Sequence, residues 1–97
     1  MGSTVVSAEG TEHAVAYARN DKPDVLIADL RLAHGDDGIK AIRAVRDIHA
    51  GLPALLITGD TAPDRLNLAK ETGITLLHKP VSSEELTYAI HRELHKH

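Results

Sequence analysis

The chain has 97 residues, a formal net charge of −3 and no cysteine. That leaves room for one domain and excludes disulfides and thiolate metal sites. The acidic balance argues against a phosphate-backbone binder, and no apolar run approaches membrane-spanning length, so neither a nucleic acid nor a membrane is expected as partner. With two Tyr, no Trp and no Phe, the core must be built from Leu, Ile, Val and Ala.

Met1-Gly2-Ser3 reads as a cloning scar or an abrupt new start ahead of a single domain. Thr4 to Ala8 is a short β-rich run. Gly10 and Thr11 open a segment with Ala14, Val15 and Ala18 at helical spacing, and Asn20-Asp21-Lys22-Pro23 breaks it. Val25 to Asp29 is a second strand, followed by a polar loop from Ala33 to Asp37. Ile39, Ile42 and Val45 mark a helix that fades near Ala50-Gly51. Pro53 leads into a third strand, Ala54 to Thr58. Thr61-Ala62-Pro63-Asp64 reads as a capping box, and its helix carries Leu66 and Ala69 before stopping at Gly73. Ile74 to Leu77 is the fourth strand. Ser82-Ser83-Glu84-Glu85 caps a last helix, Ser83 to His97, with Leu86, Ala89, Ile90 and Leu94 on one stripe.

Four strands alternate with four helices, and the strands read as apolar on both faces. That pattern predicts an α/β fold with a parallel sheet covered by helices. Ligands of such sheets sit beyond the carboxyl ends of the strands. Those ends carry Asp29, Thr58 beside Gly59, and Lys79 followed by Pro80. A carboxylate, a hydroxyl with a neighbouring backbone N–H, and an ammonium at one edge suit phosphoryl chemistry. Any one of them alone would ordinarily be structural, since every α/β domain has polar residues where strands meet loops. It is the set of three that carries the reading.

The stretches "PDVLIADLRL", "DDGIKAIRAVR", "LPALLITGD" and "GITLLHKPV" resemble the receiver domain of two-component response regulators, most of all receivers attached to hybrid sensor histidine kinases. The resemblance covers nearly the whole chain. It implies a flavodoxin-like fold and a phosphorelay role in the cytoplasm, with a histidine kinase or phosphotransfer domain as partner. By the same resemblance Asp29 is the phosphoacceptor, Lys79 pairs with the phosphoryl group, and Thr58 with Gly59 forms the switch. Arg31 would lend its backbone carbonyl to Mg²⁺ beside Asp29, and Pro80 would follow a cis peptide bond. The family's aromatic switch position is Leu76 here, and the usual loop proline is missing around Ala33-His34-Gly35.

Against the family's pattern, the chain begins at the second strand. The first strand and helix, about 25 residues, are absent, and with them the acid pair that holds Mg²⁺. The metal is therefore expected to bind weakly or not at all, because Mg²⁺ relies on carboxylates plus waters and phosphate. If the strand Thr4–Ala8 slides in beside Val25–Asp29, Glu9 could approach Asp29, although a solvated acid at a helix start is the commoner case. With one helix left for one face of the sheet, bared apolar surface predicts a homodimer or an exchanged assembly.

Asp36-Asp37 reads as a polar turn before Gly38. His91 and His95 stand at i and i+4 on the last helix and are read as a solvated face, and His78 is given no catalytic role. An alternative function is a truncated receiver acting only as a protein–protein interaction module. Less favoured is a haloacid dehalogenase-like phosphatase, because Arg31 stands where that class places a second Asp.

Overall fold

The computed structural model describes residues 4–32, 35–59 and 63–96. The expectations for Met1-Gly2-Ser3, Ala33-His34, Thr61-Ala62 and the terminal His97 lie outside the described residues. The elements are β1 (Val5–Ala8), α1 (Thr11–Asn20), β2 (Val25–Asp29), α2 (Gly38–Ile48), β3 (Ala54–Thr58), α3 (Pro63–Glu71), β4 (Thr75–His78) and α4 (Ser83–Lys96). All four strands are parallel and lie in chain order, β1-β2-β3-β4. β1 pairs directly with β2, in the register Val5↔Val25 to Ala8↔Ala28.

Two cores follow from strand alternation. On one face Leu26, Ala28, Ala54 and Leu56 meet α1, α2 and α3 through Ala14, Ala18, Ile42, Val45 and Ala69. On the other, Val25, Ile27 and Leu55 are covered by α4 through Leu86, Ala89, Ile90 and Leu94. The apolar stripe read for the last helix is thus the one it buries. No helix among the described residues is long and apolar enough to cross a membrane.

β1 departs from the expectation that every strand is apolar on both faces. Val6 and Ala8 are buried, but Val5 is 40% exposed and Ser7 is exposed. α4 packs on β2 and β3, and this side of β1 lies beyond them. α4 covers Val25, Ile27 and Leu55 at the centre of this face, and Val5 is left exposed at its β1 edge.

The fourth strand also starts one residue later than expected. Thr75 pairs with Leu55 and His78 with Thr58. Gly73 closes the end of α3 in the left-handed region (φ 74°), which leaves Ile74 as a buried anchor in the first core and not a ladder residue.

Helix starts follow short polar side chains. The Lys40 N–H donates to Asp37 Oδ1 (2.8 Å) at α2. At α4 the Glu85 N–H donates to Ser82 Oγ (3.1 Å), as the capping pattern predicted. α1 has Gly10 at its N-cap position, with no side-chain cap of its own.

Candidate functional site

Asp29 ends β2, Thr58 ends β3, and Lys79 follows β4. Two backbone bonds fix their mutual height. The Leu30 N–H donates to the Ile57 carbonyl (2.7 Å), and the Lys79 N–H donates to the Thr58 carbonyl (2.8 Å). The strand ends are thereby gathered at one rim, as a parallel sheet requires. Asp29, Arg31, Ile57, Thr58, Gly59 and Lys79 line one open cleft of about 330 Å³. The Lys79 Nζ lies 3.5 Å from Asp29 Oδ1, with both side chains about half exposed (53% and 46%). Thr58 is buried (3% exposed). The Lys79–Pro80 peptide is cis, as the resemblance implied.

An ion pair so exposed contributes roughly 0–1 kcal/mol to stability. Its value is chemical: a carboxylate open to attack on an electrophile, with a compact cation beside it.

Beside Asp29, residues 30–32 pair with residues 36–38. Arg31 and Asp37 form an antiparallel bridge. The Leu32 N–H donates to the Asp36 carbonyl (2.9 Å), and the Gly38 N–H donates to the Leu30 carbonyl (3.1 Å). Gly38 is required by contact: a Cβ there would be driven into the Asp29 carbonyl oxygen and would lie 2.8 Å from Leu56 Cδ2.

Glu9 lines a neighbouring cleft with Thr11, Asp36 and Lys40, apart from the residues that line the Asp29 cleft. It stands one residue beyond the Ala8↔Ala28 pair. The rings of His91 and His95 are 4.2 Å apart on the exposed side of α4. His78 is exposed. Among the described residues no group of three or more His, Asp or Glu could hold a metal ion.

The Mg²⁺ implied by the resemblance meets a poor donor set. Mg²⁺ demands near-octahedral oxygen ligation. Among the described residues the cleft offers one carboxylate, Asp29, already opposite an ammonium, and Arg31. These residues do not fit a resident magnesium ion.

Sequence reasoning missed one feature, the role of Asp36. Its Oδ2 accepts from the Thr11 N–H (2.6 Å) and its Oδ1 from the Thr11 hydroxyl (2.8 Å). Oδ1 also accepts from the Asp37 N–H (3.0 Å). The Thr11 N–H above all, then the Thr11 hydroxyl, hold this carboxyl below the usual carboxylate range; partial burial opposes them, and the Asp37 N–H and Lys40 charge add to them. The signal available in the sequence was a helix opening on Gly10, which lacks any capping side chain.

Residues 1–91 match the family model described as the response regulator receiver domain. The chain is 28% identical over 90 residues to transcriptional regulatory protein GlrR of Escherichia coli (strain K12), a match covering 92% of this chain and 20% of that protein. It is 34% identical over 82 residues to a response regulator receiver protein of Anaeromyxobacter sp. (strain Fw109-5), covering 84% of this chain and 34% of that protein. The chain thus spans only a fifth to a third of these curated relatives. Among solved structures, a response regulator receiver domain protein from Clostridium thermocellum shares the fold with a TM-score of 0.82 at 18% identity, covering 98% of this chain and 96% of that one. The four parallel strands and four helices, the strand-end cleft and these matches agree, and the chain belongs to the response regulator receiver domain family, a signalling module of two-component systems.

Proposed function

We propose that Asp29 accepts a phosphoryl group from a phosphohistidine of a histidine kinase or phosphotransfer domain. The observation that carries this reading is the Asp29 carboxylate facing the Lys79 ammonium in a cleft also lined by Thr58 and Gly59. An Asp29 oxygen attacks phosphorus, an O–P bond forms, and the P–N bond to the donor imidazole breaks. The electron pair returns to that nitrogen, and the product is an acyl phosphate. Lys79 offsets charge on the phosphoryl oxygens, while the Thr58 hydroxyl and Gly59 N–H are the nearby hydrogen-bond donors.

With Asp29 the one carboxylate among the described cleft residues, Lys79 carries most of the charge compensation, and transfer is slow with little help from Mg²⁺. The domain is a covalent acceptor in the cytoplasm and not itself an enzyme. Its parent is either a hybrid histidine kinase or a regulator whose output domain lies elsewhere, as the transcriptional regulators among its relatives suggest. Self-association has one support, the uncovered Val5 side of β1, and sedimentation velocity is its test. The alternative of an interaction-only module gives no reason for an ammonium to face Asp29.

Labelling by acetyl phosphate, read by mass spectrometry, tests the reading. One phosphate should add to the wild type and none to Asp29→Asn, and Lys79→Ala should slow labelling about 10²-fold. Added Mg²⁺ should raise the wild-type rate less than about tenfold. Equal labelling of wild type and Asp29→Asn, or none of either, overturns it.

A further inference from the structure

From the contacts around Asp36 we infer that this residue is a positioning residue for the Asp29 cleft, tying the loop that carries Arg31 to the start of α1; the inference rests on the phosphoacceptor reading of Asp29. A helix is ordinarily capped by its own N-cap residue. Here the carboxylate comes from a loop 25 positions further along the chain. It commits both oxygens to Thr11, through the backbone N–H and the hydroxyl. One of those oxygens also takes the Asp37 N–H. The side chain is therefore held by three donors at once, and its depressed titration agrees with a carboxylate that stays charged.

The backbone of the same residue is bonded to the segment that carries Arg31. The Asp36 carbonyl accepts from the Leu32 N–H, and the adjoining Asp37 bridges to Arg31. Arg31 is a wall of the Asp29 cleft. The root of this fold-back is held independently by the Gly38 N–H on the Leu30 carbonyl. Loss of the Asp36 carboxylate should therefore free the outer, Arg31-bearing part and leave Asp29 in place. A cap serving only α1 would do none of this, because its removal would loosen the helix start alone.

Two readouts separate the roles. In Asp36→Ala, hydrogen exchange at the Leu32 and Asp37 amides should quicken about fivefold, the size of one lost cap. Exchange at Leu26 and Leu56 in the sheet should stay unchanged. The maximal rate of acetyl phosphate labelling, measured per folded molecule well below the melting temperature, should fall about fivefold to tenfold. The half-saturating acetyl phosphate concentration should change little. Asp36→Asn retains one acceptor oxygen and keeps the fold if the alanine variant does not; it should give an intermediate rate. Thr11→Ser, which preserves both donors, should restore the wild-type rate, and Thr11→Val should lower it.

Unchanged exchange at Leu32 in Asp36→Ala overturns the tie. Faster exchange with an unchanged maximal rate overturns the positioning role and leaves a helix cap. A wild type that labels no better than Asp29→Asn is a different failure: it removes the phosphoacceptor reading, and this role with it.

Discussion

At the scale of the residue, two carboxylates near one rim do opposite work. Asp29 is half exposed and faces an ammonium, as the proposed phosphoacceptor role requires. Asp36 is engaged by three donors and its charge stabilises the fold. Because its folded pKa is depressed, that contribution is complete above the ordinary carboxylate value of about 3.9. It disappears as pH falls through the folded value. Acid titration followed by NMR should therefore show the Thr11 amide shifting at lower pH than the bulk of the carboxylates. Asp36→Asn should flatten the stability-versus-pH curve below about pH 4; an identical curve would mean the contacts do not hold in solution. Asp29 was legible in the sequence because an apolar run ends on it, and Lys79 because a strand precedes it. Asp36 was not, because a cap supplied from 25 residues away leaves no local pattern.

At the scale of the element, periodicity located the four strands and four helices among the described residues, most plainly α2, whose spacing announces the buried Ile39, Ile42 and Val45. The errors fall where tertiary context decides. Ile74 is apolar and adjoins a strand, but it serves as an anchor after the Gly73 turn. β1 looked buried on both sides, and its outer side is not, because burial depends on a helix that does not reach it. The junction of β2 and α2 gives a sharper test. Helix propensity favours Ala over Gly by about 1 kcal/mol. At position 38 the added methyl meets the Asp29 carbonyl and Leu56, and overpacking of this kind costs about 1–3 kcal/mol. The obstacle is partly backbone, so the clash wins. Gly38→Ala should lower stability by up to about 2 kcal/mol net in urea unfolding. A variant as stable as wild type would show that the junction yields easily.

At the scale of the whole molecule, the strand sequence along the sheet repeats the order along the chain. Paired residues are 20, 28 and 20 positions apart in the three ladders, so no strand waits for a distant segment. Assembly can run like a zip fastener, each βα unit closing on the one before it, with modest loop-closure cost at every step. The same property works in reverse. The first unit, β1 with α1, is an end tooth gripped by one ladder and by helix contacts on a single side, so it should peel away first. Native-state exchange in dilute denaturant should show its amides opening at lower free energy than those of β2 and β3. If all four strands open together, the sheet is one cooperative block and the fastener picture fails.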